Sequence, residues 1–205
     1  MTLAEIKVQA LNIMFATYEV INTSTLSDKE LDENYAPYLQ RMKGSINRCI
    51  GDIENKCAVP TNNYDLNNPI SVTPYVVKYA LPNDYFKIKC IYLTDGRNFY
   101  ENVNYKIIGN YVLLDKTNGQ YMIEYYPKLN RLEDGTPNTF DITYIPQNIC
   151  ELIPYFIKGE LYREDEPNEA SESMNWYEAK LDQIIIGQPS DSNQSMVESV
   201  YEMQY

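Results

Sequence analysis

The hydrophobic period of this chain changes twice, and that change limits its possible folds more than any single residue does. From Thr2 to about Ile21, positions Leu3, Ile6, Ala10, Ile13, Met14, Thr17, Tyr18 and Ile21 recur at intervals of three and four, the stripe of an amphipathic helix. Ser27 with Glu30 three residues later reads as a capping box opening a second helix, striped by Leu31, Tyr35, Tyr38, Met42, Ile46, Cys49 and Ile53. Pro37 removes a backbone donor and crowds the preceding turn, which predicts a kink or restart between Asn34 and Pro37 and a rod from there to about Lys56. Ala58 to Pro74, rich in Asn and Pro, reads as a loop. The period then falls to two. Tyr75–Ala80, Tyr85–Thr94, Asn104–Ile108, Tyr111–Asp115 and Gln120–Tyr126 are Val-, Ile-, Tyr- and Phe-rich runs. They are bounded by turn residues at Pro82-Asn83-Asp84, Asp95-Gly96, Gly109-Asn110 and Asn118-Gly119, the pattern of an antiparallel meander.

After Glu133-Asp134-Gly135-Thr136-Pro137 the helical period returns at Ile142, Ile145, Ile149, Ile153, Phe156, Ile157 and Leu161. Pro154 suits a first helical turn, so a short turn over 147–152 is expected before a helix running to Glu164. A last helix from Pro167 carries Ala170, Met174, Tyr177, Leu181 and Ile184, and Gly187 with Pro189 ends it. The expected class is α+β: a four-helix bundle from residues 1–57 and 141–187, an inserted β meander over 58–140, and a flexible C-terminal tail over 188–205. Ile13, Tyr38, Met42, Ile46, Phe156, Leu161 and Leu181 are expected to share the bundle core. The tail is rich in Ser, Gln and Asn and has no Lys or Arg. Its Val197, Val200, Tyr201 and Tyr205, spaced by three and four, are the candidate partner-docking residues.

Charge and residue types exclude whole classes of chemistry. Lys and Arg number 17 against 29 Asp and Glu, a net −12 that has the wrong sign for coating nucleic acid phosphates. The chain has no histidine, which removes the commonest general base and the commonest transition-metal ligand. No G-x-x-x-x-G-K-[ST], G-x-G-x-x-G or G-x-S-x-G occurs, and eight scattered glycines build no phosphate cradle. Cys49, Cys57, Cys90 and Cys150 lack C-x-x-C spacing and read as reduced thiols acting as small hydrophobes. Glu160, Glu164, Asp165, Glu166, Glu169, Glu172 and Glu178 form the densest acidic cluster, set against Arg163 alone; it reads as a solvated or partner-facing surface, with a metal-dependent hydrolase as the competing reading. Lys87, Lys89, Arg97 and Lys106 beside aromatic strands resemble a nucleic-acid platform but read as half-exposed strand faces, with Ile88 and Cys90 pointing away from the lysines. No catalytic residue, cofactor site or metal site is expected, and no run approaches the roughly 20 apolar residues of a membrane span. Twenty tyrosines against five phenylalanines and one tryptophan suit surfaces that become interfaces.

Several phrases stand in a recognisable order: Leu81-Pro82-Asn83-Asp84-Tyr85-Phe86, then Gly-Gln-Tyr-Met-Ile-Glu-Tyr-Tyr over 119–126, then Glu160-Leu161-Tyr162 closing a helix and Trp176-Tyr177 inside the last one. Across roughly residues 1–187 this order resembles the head-to-tail adaptor (connector) proteins of tailed bacteriophages, of the tail tubular protein A type. The Asn- and Tyr-rich style is similar to that of crAss-like phages. Pro154 and the stretch after Gly187 depart from the family pattern. The resemblance implies a virion protein of the neck, made in the host cytoplasm: a ring, usually of twelve copies, bound beneath the portal protein and above a downstream tail or nozzle protein. DNA would pass through the ring without specific binding, and the protein would contact no membrane. A channel wall that repels phosphates lets the duplex slide, and −12 per chain fits such a wall. The competing roles are a tail terminator or stopper ring and a small host-directed binding protein.

Overall fold

The computed structural model describes residues 1–15, 21–94, 99–101, 104–116 and 119–187. Within these, six helices and eight strands occur, and the chain divides into two compact units: residues 1–49 with the chain from Leu132 onward, and residues 50–131.

The first unit is helical. Helix α1 (Leu3–Met14) opens on Thr2, whose Oγ1 accepts from the Glu5 amide while the Glu5 carboxylate accepts from the Thr2 amide. This reciprocal capping box satisfies two of the donors every helix start leaves free. The helix ends at Met14 rather than near Ile21, and Thr17 and Tyr18 lie outside the described residues. The Asn12 amide bonds both the N–H and the C=O of Ile21, bringing that residue back against the helix. The box expected at Ser27 and Glu30 does not form. Ser27 lies inside a single turn, α2 (Leu26–Lys29), and Glu30 pairs with Lys7 at 3.6 Å. The restart at Pro37 holds: α3 (Ala36–Asn55) begins one residue before it, where the missing N–H is not needed, and its residues from Ile50 onward belong to the second unit.

At the other end of the unit, α4 (Gln147–Cys150) is the expected short turn, α5 (Ile153–Leu161) carries Pro154 in its first turn, and α6 (Pro167–Ile186) stops at Gly187. Helix α5 packs on both α1 and α6. Of the predicted core, Met42, Ile46, Phe156 and Leu181 are buried, whereas Ile13, Tyr38 and Leu161 are half-buried. Leu39 and Tyr162 take the deeper positions beside them. Tyr38 instead joins Phe15, Tyr35 and Tyr162 in an edge-to-face aromatic cluster with centroids 4.9 to 6.5 Å apart.

The second unit corrects the expected architecture. A four-helix bundle carrying one inserted meander is not what the chain forms, although the mixed α and β class stands. All five predicted strands exist, as β3 (Val76–Ala80), β4 (Tyr85–Thr94), β6 (Tyr105–Ile108), β7 (Tyr111–Asp115) and β8 (Gln120–Pro127). Three more join them: β1 (Asn62–Leu66) and β2 (Ser71–Val72) inside the segment read as a loop, and β5 (Phe99–Glu101). They form two antiparallel four-stranded sheets, ordered β1-β8-β4-β5 and β2-β3-β7-β6. The physical reason is burial. Strands β4, β7 and β8 each have one apolar face, and a lone meander leaves that face wet, whereas two facing sheets enclose Leu66, Leu81, Ile88, Ile91, Val112, Leu114, Tyr121, Ile123 and Tyr125 in a shared core.

Gly109-Asn110 makes the expected hairpin, with Gly109 at φ 59°, between β6 and β7. The expected Asn118-Gly119 hairpin is absent, because β7 and β8 belong to different sheets; Asn118, like Asp95-Gly96, lies outside the described residues. Gly119, at φ 143°, sits so close to β4 that a Cβ there would lie 2.7 Å from Leu93 Cδ1 and from the Thr94 carbonyl oxygen.

Candidate functional site

Among the described residues, the groups that sequence reading raised for chemistry are dispersed or engaged with one another. The cysteines remain thiols. Burial pushes the Cys90 and Cys150 thiols up to about 11, which keeps them protonated and poorly nucleophilic. The acidic cluster splits three ways. Glu160 is held between Arg163, at 3.0 Å, and the Arg48 guanidinium; Glu169 pairs with Lys158 at 2.7 Å; Glu164, Asp165 and Glu166 stand exposed on the turn between α5 and α6. No three His, Cys, Asp or Glu side chains among the described residues are placed to hold a metal. A cleft of about 510 Å³ opens beside Glu160, where Arg41, Arg48 and Arg163 face Glu160, Glu164 and Asp165. Three guanidiniums balance three carboxylates there, and both Glu160 oxygens are already taken by arginine. No helix among the described residues is long and apolar enough to cross a membrane.

The lysine platform does not assemble. Lys87 and Lys89 lie on β4 and Lys106 on β6 of the other sheet, while Arg97 lies outside the described residues. A register shift between Ile88 and Cys90 breaks the expected alternation. It leaves Ile88 and Ile91 both facing the core, sets Cys90 opposite Glu124, and lets Lys89 reach the Glu124 carboxylate at 2.9 Å. Thr61 and Tyr92 also donate to Glu124, at 2.5 and 3.1 Å. No sequence motif marked this buried acid.

Two exposed surfaces remain, and they differ in kind. Seven of the thirteen exposed large hydrophobic residues, Ile70, Val72, Tyr75, Tyr105, Ile107, Ile108 and Tyr111, belong to or flank the β2-β3-β7-β6 sheet; the registers set Val72, Tyr105 and Ile107 on the side of Val77, Leu114 and Val112, and Ile108 and Tyr111 on the outer face. Val112 and Leu114 of β7 face the core, so Tyr111 and Leu113 face out. The pairing registers set Ile108 beside Tyr111, and Lys78 and Lys106 on either side of Leu113. The Lys78 ammonium sits 4.0 Å from the Tyr111 ring centroid, a cation–π contact that keeps both on the outer face. Among the described residues β6 pairs only with β7 and forms one edge of the sheet, β2 the other.

The second surface is the outer side of α6. Ala170, Ser173, Tyr177 and Leu181 are its buried stripe. Glu169, Glu172, Trp176, Ala179, Gln183 and Ile186, spaced by three and four, form an exposed one. Trp176 stacks on Tyr155 at 3.8 Å between centroids yet stays 39% exposed, and Ile186 is 83% exposed. The tail residues Val197, Val200, Tyr201 and Tyr205 lie outside the described residues.

The charge is divided as sharply as the fold. Residues 50–131 hold nine Lys and Arg against eight Asp and Glu, net +1; the rest of the chain holds eight against 21, net −13. Compared with known proteins, the chain matches no protein-family model and no curated protein.

Proposed function

We propose that the chain is a structural ring component of a tailed-bacteriophage neck, bound beneath the portal and extending the channel through which DNA leaves the head. The partition of charge carries this reading. Duplex DNA bears about one negative charge per 1.7 Å of axis, so a wall of carboxylates keeps the phosphates off and the duplex mobile. A chain that spread its −12 evenly would also load its subunit contacts with like charge. This one gathers the acid in the helical unit and leaves the sandwich near neutral.

The order of phrases that resembles the adaptor family fits the same role, and its residues have structural work in each unit. Leu81 plugs the sandwich core, and Asp84 accepts the Tyr125 hydroxyl at 2.9 Å. In the helical unit the Tyr162 hydroxyl donates to the Met14 carbonyl at 2.5 Å. The neighbours on this reading are further copies in a twelve-fold ring, the portal, a downstream tail or nozzle protein, and DNA in transit. The sequence around Val197, Val200, Tyr201 and Tyr205 is assigned to contact with the portal or the adjacent copy. The role is structural, with no reaction and no cofactor.

Quantitative mass spectrometry of purified virions tests this. The chain should be present in a fixed ratio to the portal protein and remain in particles that have ejected their DNA. Detection only in infected-cell extract, with none in particles, contradicts it.

A further inference from the structure

We infer that the outer face of the β2-β3-β7-β6 sheet is a docking surface for a second copy of this chain, and that its occupant is the exposed stripe of that copy's α6. The two surfaces complement each other in charge and in apolar content. The sheet face offers Ile108, Tyr111 and Leu113 with Lys78 and Lys106 on either side of Leu113, in a unit whose net charge is +1. The helix stripe offers Trp176 and Ile186 with Glu172, beside Glu169 in its pair with Lys158, in a unit whose net charge is −13. Trp176 stacks one side of its ring on Tyr155, yet it and Ile186 still carry apolar surface outside the buried stripe of α6. Pairing two sheet faces or two α6 stripes sets like charge against like charge, whereas face against stripe places Lys78 and Lys106 near Glu172.

Because the two surfaces differ, the contact is heterologous: every copy offers one of each, and repetition yields a closed ring or an open filament. The inference rests on the ring reading only for closure. Attraction between an acidic and a basic surface is screened by salt, and the chain's single tryptophan, Trp176, lies in the contact and reports on it.

The test uses the full chain, by sedimentation velocity and tryptophan fluorescence. Self-association at low salt should shift the Trp176 emission to the blue and weaken by about tenfold or more at half-molar salt. Lys78→Glu with Lys106→Glu should abolish it, and adding Glu172→Lys should restore it, while each variant keeps a cooperative thermal unfolding transition. A chain that stays monomeric at every salt concentration overturns the inference. So does association that ignores these substitutions or leaves Trp176 emission unchanged, and so does capture of a DNA oligonucleotide by the sheet face. Closed rings that ignore the swap would sink this interface and leave the ring reading standing; a swap-restored contact that forms only filaments would do the reverse.

Discussion

Glu124 lies on the side of β8 away from the core, where Thr61, Lys89 and Tyr92 all point polar hydrogens at its carboxylate. Burial alone pushes this carboxyl up. The hydrogen bonds from Thr61 and Lys89, the Lys89 charge and the Tyr92 hydroxyl outweigh burial and hold it below its ordinary value of 4.5. A carboxyl depressed in the folded state stabilises the fold above its unfolded value, and that stability is lost as the pH falls below about 4.5 towards the folded value. Glu124→Gln should cost about 1–3 kcal/mol near neutral pH, because a side-chain amide then faces three donors. The gap between variant and wild type in urea unfolding should narrow from pH 6 to pH 3; a gap that is flat with pH contradicts this account. The sequence shows Glu124 alternating with Tyr121, Ile123 and Tyr125 and hence pointing out of the core. It does not show the shift in β4 that brings Lys89 within reach, because Ile88, Cys90 and Ile91 are all apolar and leave the alternation there open to either reading. The tyrosine excess is legible only in part. Tyr121, Tyr125, Tyr162 and Tyr177 are buried core residues, while Tyr64, Tyr75, Tyr100, Tyr105 and Tyr111 are exposed.

At the scale of elements, periodicity identified helices and strands well where proline or glycine supplied the boundary. The restart at Pro37, the short turn before Pro154 and the stop at Gly187 all follow from the missing donor or the missing side chain. It failed where a boundary depends on tertiary contact. Residues 62–66 are mostly polar and read as loop, yet they pair along β8, where ladder hydrogen bonds rather than burial hold an edge strand. Leu31 and Met42 stand on the same predicted stripe, but Leu31 falls in the turns ahead of α3 and is 87% exposed, while Met42 is fully buried. Met42→Ala should therefore destabilise the chain by about 2–5 kcal/mol and lower the melting temperature by several degrees, and Leu31→Ala should leave it unchanged. Equal effects would mean that the stripe continues through Leu31 and that α3 starts earlier.

On the scale of the whole molecule, the division of charge runs along the sequence, since the near-neutral unit is the continuous segment 50–131, but only the fold shows that this segment closes into a unit of its own and that the chain before and after it comes together. The pairing of eight strands into two sheets was likewise hidden, because a run of apolar alternation states which face is buried and not against what. That division is what connects the fold to the proposed role: acid gathered in one unit suits a surface turned towards DNA, and a near-neutral sandwich suits a surface turned towards a neighbour. The most direct measurement is a cryo-EM reconstruction of the chain bound to its portal. The account predicts a closed, twelve-fold ring with the helical units facing the lumen and the sandwich units in contact with neighbouring copies. A ring lined by the sandwich units, or a chain that binds the portal as isolated single copies, would contradict it.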